Sequence, residues 1–163
     1  MVGKAWKFND GISTDLIAPG RYFHLRSDLQ ELAKHVLEDA RESFSTEVRK
    51  GDFVVAGNNF GLGSSREHAP LIIKIAGVEA VLAKSFARIF YRNAITIGLP
   101  AIICDTSLIN DGDELSLDLN GGIINNISKN LRIPFPPLPL AMQKILSEGG
   151  LISFIKKHGD LVL

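Results

Sequence analysis

Three short runs in the middle of the chain, Phe53–Ala56, Val78–Ala83 and Ala101–Cys104, are apolar almost throughout. Runs of this kind read as strands buried on both faces, as in a parallel sheet. Turn residues precede them: Lys50-Gly51-Asp52, then Gly77, then Gly98-Leu99-Pro100. Between them lie two segments of helical character, Pro70–Ala76 and Ser85–Ile97, each closed by a glycine suited to a helix C-terminus. Strand, helix, strand, helix, strand in tandem predicts an α/β fold with a mostly parallel core and right-handed crossovers. Ala5–Phe8 reads as an opening strand. Ser27 or Asp28 caps a helix whose apolar face is Leu29, Leu32, Val36 and Leu37. The tail is different. Glu114–Leu119 alternates, Asn120-Gly121-Gly122 is a hairpin turn, and Ile123–Ile127 returns. Leu131–Pro137 is extended, and Leu140–Glu148 and Leu151–Lys157 are predicted helices.

The chemistry concentrates where the first of these strands hands over to its helix. Gly57-Asn58-Asn59-Phe60-Gly61-Leu62-Gly63 is followed at once by Ser64-Ser65-Arg66-Glu67-His68. Ligands of open α/β sheets bind at the carboxyl ends of strands. Free N–H groups at a helix start favour anions, and a guanidinium grips a carboxylate in a two-pronged fork. The cluster therefore reads as a carboxylate or phosphate site with hydroxyls beside it. Ser64-x-x-Glu67 also spells a capping box, so a helix start with no ligand is the alternative. With Ser64 as cap, Pro70 falls inside the helix. Either the first turn is irregular or the regular helix begins near Pro70. The segment is not a P-loop, lacking the G-K-[ST] lysine, and it contains no G-x-S-x-G elbow.

Eighteen basic and eighteen acidic residues cancel, which gives no reason to invoke nucleic acid or an anionic membrane. No apolar run is long enough for a membrane span, and the N-terminus lacks the apolar core of a signal peptide. A cytoplasmic protein is expected. Cys104 is the only cysteine. It allows no internal disulfide, cannot hold an iron–sulfur cluster by itself, and reads as a small buried hydrophobe. No two of His24, His35, His68 and His158 stand at metal-ligand spacing on one helix, so no metal site is expected in this chain. His68 reads as a neighbour of the cluster and His35 as a boundary residue. Arg88 and Arg92 share a helix face; together with Lys84 they read as a solvated face or a subunit contact.

Gly61-Leu62-Gly63-Ser64-Ser65-Arg66-Glu67-His68-Ala69 resembles the G-x-G-S-S-R-E motif of the aconitase-type dehydratases. Ala83–Asn93 followed by Gly98-Leu99-Pro100 resembles a second signature of that family, and Ser13-Thr14-Asp15 before Ile17-Ala18-Pro19 resembles its first. These motifs stand in order and span most of Asn9 to Pro100. The length, 163 residues, resembles the free-standing small subunit of isopropylmalate isomerase (3-isopropylmalate dehydratase). The resemblance implies a three-layer β/β/α swivelling domain of the aconitase C-terminal type. One domain would cover 1–163, with a motif-bearing core at about 5–105 and a less characteristic segment at 106–163.

By matched position, the resemblance makes Ser64 the catalytic base and Asp15 an active-site acid. Ser65, Arg66 and Arg26 become substrate-binding, and Tyr22-Phe23-His24-Leu25 becomes the loop that meets the variable group of the substrate. His24 stands where homoaconitase-type relatives carry an arginine, and Leu25 is apolar. Together they favour an alkyl tail, and so isomerisation of 2-isopropylmalate to 3-isopropylmalate in leucine biosynthesis. Arg26 keeps a homoaconitase-like or broad-range enzyme acting on tricarboxylates open. Because this chain binds no cofactor of its own, a large subunit must bring the family's [4Fe–4S] cluster. The isolated chain could also form a homo-oligomer. The reading from another class is a non-catalytic small-acid-binding module, which would have no use for a buried serine base.

Overall fold

The computed structural model describes residues 2–159. Strands β1 (Val2–Lys7), β2 (Phe53–Val55), β3 (Ala80–Ala83) and β4 (Ala101–Ile103) pair in parallel in the order β4-β3-β2-β1. The tail supplies β5 (Glu114–Asp118), β6 (Ile123–Asn126) and β7 (Leu131–Pro134), and β5 pairs antiparallel with β1. The result is one seven-stranded mixed sheet, β4-β3-β2-β1-β5-β6-β7.

The three layers follow from how side chains alternate along the parallel strands. Val54, Val81 and Ala83 point into one core. It is shared with helices α1 (Thr14–Ile17), α2 (Leu29–Ala33), α3 (Phe44–Glu47), α4 (His68–Ile75) and α5 (Arg88–Thr96). Their neighbours Phe53, Val55, Ala80 and Leu82 point into the other core, with Leu115, Ile124 and Ile133 of β5–β7. The antiparallel strands thus lie over the face of the parallel strands that the helices leave bare. Both faces are dry, which is why these runs read as continuously apolar. Helices α6 (Leu140–Ser147) and α7 (Leu151–His158) close the chain, contributing Leu146 to the second core.

Several boundaries differ from expectation, for local reasons. The helix after Asp28 is short. Asp28 does cap it, accepting from Glu31 N, but the chain then tightens through i→i−3 bonds from Lys34, His35 and Val36. Leu37 leaves in the left-handed region (φ +56°) with its N–H on Ile17 O. Burial of Val36 and Leu37 against the core, rather than helix propensity, sets this path. The capping box does not form: Glu67 is the N-cap residue and no side chain caps α4. The helix begins at His68, with Pro70 in its first turn, where no intrahelical N–H is needed. The helix expected from Ser85 starts only at Arg88, because Phe86 bridges Phe60 and Ala87 is still extended (ψ 139°).

Candidate active site

The loops that leave the carboxyl ends of β1, β2 and β3 are sewn together by backbone hydrogen bonds. Gly61 N donates to Ile12 O at 2.7 Å and Thr14 N to Leu62 O at 2.8 Å, joining the Ser13-Thr14-Asp15 segment to the glycine-rich loop. On the other side Phe60 N donates to Ser85 O at 3.1 Å and Ala87 N to Phe60 O at 2.9 Å. Thr14 Oγ1 donates to Ser64 O at 2.8 Å and so holds the serine pair from below. Gly61 is required here. Its φ is +85°, and a Cβ would stand 2.3 Å from Cγ of Phe90.

These loops surround a cavity of about 210 Å³ lined by Gly63, Ser64, Ser65 and Arg66 on one side and Arg88, Phe90 and Asn93 on the other. The helix terminus on its wall is therefore that of α5, not the α4 start that follows the serines. The first-turn N–H groups of a helix have no intrahelical acceptor and carry partial positive charge. Arg88 adds a full charge. It is exposed, as expected of a solvated face, and it also lines this cavity. Larger depressions of about 630 and 640 Å³ lie elsewhere. Neither is lined by a residue of 13–15 or 61–69, whereas the small cavity is lined by residues of the quoted motifs.

Arg66 is the fixed point of the site. Its side chain is 19% exposed; Nη1 donates to Ala18 O at 2.8 Å and Nη2 pairs with the Asp15 carboxylate. Asp15 is 64% exposed. One partner of this pair is thus held twice and the other is open to solvent. Burial, with the charge of Arg66, holds the His68 imidazole below its ordinary pKa. Ser64 and Ser65 are exposed at the mouth, so the base expected to be buried is open in the free chain. Exposed Ile89 lines the same mouth.

The loop Tyr22-Phe23-His24-Leu25 lies in a 3-10 turn, Gly20–Leu25, and does not line the cavity. Tyr22 and Leu25 pack on the helix-side core, while Phe23 and His24 are exposed. Arg26 folds back, donating to Phe23 O at 3.2 Å and stacking on the Phe23 ring. The turn reaches the site through its first residue: a Cβ on Gly20 would lie 3.9 Å from Arg66 Nη2. Thr14 and Asn93 also line the cavity; both sit inside the quoted motifs, though neither carries a chemical signal by itself in the sequence.

The aconitase C-terminal domain model matches residues 9–105. The 3-isopropylmalate dehydratase small subunit 2 of Archaeoglobus fulgidus is 64% identical over 99% of this chain and 98% of its own. The small subunit 1 of Thermotoga maritima is 60% identical over 97% and 96%. This chain belongs to the 3-isopropylmalate dehydratase small-subunit family. The crystal structure of a 3-isopropylmalate dehydratase from Methanocaldococcus jannaschii superposes with a TM-score of 0.90 at 48% identity, covering 98% of this chain and 96% of that one. The family's aconitase-type fold is therefore the fold described above, and no described helix is long and apolar enough to cross a membrane.

Proposed function

We propose that this chain is the small subunit of a heteromeric hydro-lyase that interconverts 2-isopropylmalate and 3-isopropylmalate by dehydration and rehydration in leucine biosynthesis. The names of its relatives support the activity and the small-subunit role. The observation that carries the reading is the cavity where Ser64, Ser65 and a braced Arg66 meet the first turn of α5. The continuous sheet supports one domain over 1–163, and we take the cytoplasm as its place of work.

The chain's own residues account for the proton and carboxylate chemistry. Ser64 Oγ takes the proton from the carbon next to a substrate carboxylate. The N–H groups of α5 and the charges of Arg66 and Arg88 stabilise its alkoxide. Ser65 and Arg66 hold the carboxylate, which replaces Asp15 on the outer edge of the guanidinium. Asp15 keeps that edge ordered until then. Departure of the hydroxyl calls for a Lewis acid, supplied in this family by a [4Fe–4S] cluster. This chain's donors do not fit one. Cys104 is its single cysteine and is buried, and burial pushes its thiol up to about 12. No three His, Cys, Asp or Glu side chains gather among the described residues. A large subunit is thus the carrier, and the mouth beside exposed Ile89 is its seat.

The loop supports an alkyl substrate. Phe23 and His24 face outward, and Arg26 is engaged by Phe23. A tricarboxylate enzyme would need Arg26 to leave that ring. The test mixes the purified chain with an iron–sulfur large subunit and assays 2-isopropylmalate beside homocitrate-type acids. Turnover of the isopropylmalates in the mixture alone is expected. Preference for the tricarboxylate would move the assignment to the homoaconitase-like reading. Binding of malates by the free chain, with no turnover in any mixture, would leave a binding module.

A further inference from the structure

The 3-10 turn Gly20–Leu25 is tied down by a carboxylate that no sequence motif marks. Glu38 Oε1 accepts from Arg21 Nη2 at 2.6 Å and from Tyr22 OH at 2.9 Å, and Oε2 lies 2.8 Å from His35 Nδ1. The Tyr22 and His35 rings stack with centroids 3.7 Å apart, and the Arg21 guanidinium lies 4.8 Å from the Tyr22 ring centroid. Arg21 is half exposed, and its surface ion pairs with Glu38 and Asp39 count for little. The inner arm is different. The Glu38 side chain is only 20% exposed and serves three groups at once. Burial would push its carboxyl up, yet the bonds from His35, Tyr22 and Arg21 hold it below its ordinary pKa.

The placement of Glu38 is referenced to the site. Leu37, immediately before it, is fully buried and bonds Ile17 O, while Arg66 bonds the next carbonyl, Ala18 O. Leu37 and Arg66 thus bond adjacent carbonyls of the backbone that leads into the turn, and Glu38, next to Leu37, holds the turn itself.

We propose that Glu38 is a positioning residue: through Tyr22 and His35 it sets the height of the Gly20–Leu25 turn against Arg66, and so the fit of the substrate's variable group. This rests on the function proposed above. Two measurements separate the two claims. Amide exchange in the free chain reads the tether alone. Glu38→Gln should raise exchange across residues 20–26 by ~10-fold or more while the strands stay protected. Tyr22→Phe, which removes one bond and keeps the ring, should give a smaller rise at the same residues. In the assembled complex Glu38→Gln should raise KM for 2-isopropylmalate ~10-fold with kcat within about twofold. The preference over a malate with a shorter alkyl group should narrow, and Glu38→Asp should recover part of it. Unchanged exchange at 20–26 overturns the tether whatever the enzyme does. A loosened turn with unchanged KM and unchanged preference overturns its role in recognition. A wild-type complex that ignores 2-isopropylmalate overturns the underlying function, with the exchange result still deciding the tether.

Discussion

Gly61 and Arg66 are both set by distant neighbours. The ring of Phe90 occupies the space a Cβ at Gly61 would need, and the backbone there is left-handed. Gly61→Ala should cost about 2–4 kcal/mol, combining overpacking with backbone strain; denaturant unfolding checks this, and an unchanged midpoint would remove the argument. Arg66→Lys keeps the charge and loses the fork that spans Ala18 O and the outer carboxylate. It should raise KM more than it lowers kcat. Ser64→Ala should lower kcat at least ~10²-fold with binding nearly intact, as for loss of a proton-transfer group. Near-normal turnover would strip Ser64 of the role. His68 gives a pH signature. Its folded pKa lies below the ordinary value of about 6.5, so between the two the unfolded chain holds more protons. Stability therefore falls as pH drops through about 6.5 and levels off below the folded value. His68→Gln should flatten that part of a melting-temperature profile between pH 7.5 and 5.5. Parallel profiles for the two proteins would exclude His68 as its source.

At the scale of elements, the 3-10 turn Gly20–Leu25 and the first turn of α5 have separate parts in the proposed function. The helix start supplies fixed dipoles at the serines, and the turn offers two exposed side chains, Phe23 and His24. His24→Arg in the assembled complex should shift preference from 2-isopropylmalate toward an acid with a carboxylate tail. One charge-assisted hydrogen bond is worth about 1.5–3 kcal/mol, and an unpaired guanidinium facing an alkyl group is penalised. The ratio of kcat/KM for the two acids is the measurement; a ratio that stays put would take the turn out of substrate selection. The sequence was a good guide to elements where an apolar run was unbroken or nearly so: the runs at 53–56, 78–83 and 101–104 contain β2, β3 and β4. It was a poor guide to helix starts. Ser64-x-x-Glu67 has the letters of a capping box, yet α4 starts at His68 because the serines are pulled toward Thr14 instead.

For the whole molecule, the decisive prediction concerns dependence on a partner. The purified chain should be colourless, bind no stoichiometric iron and show no hydro-lyase activity, because one buried cysteine cannot bind a cluster. Cluster absorbance that persists in a purified Cys104→Ala variant would sink this reading.

The amino-acid sequence by itself determined the parallel core, since strands buried on both faces must be apolar at every position. It also determined the order of the three motifs, the tail's hairpin and the shortage of thiolates, which are local patterns or counts. Only the tertiary structure decided that β5 pairs with β1 and that β5–β7 cover the second face of the core. Likewise it paired Asp15 with Arg66, brought Arg88 and Asn93 to the serines, and put Tyr22 on Glu38. Each of these joins residues far apart in the chain. No local propensity encodes such a contact; it forms because burying the two cores leaves those groups facing one another.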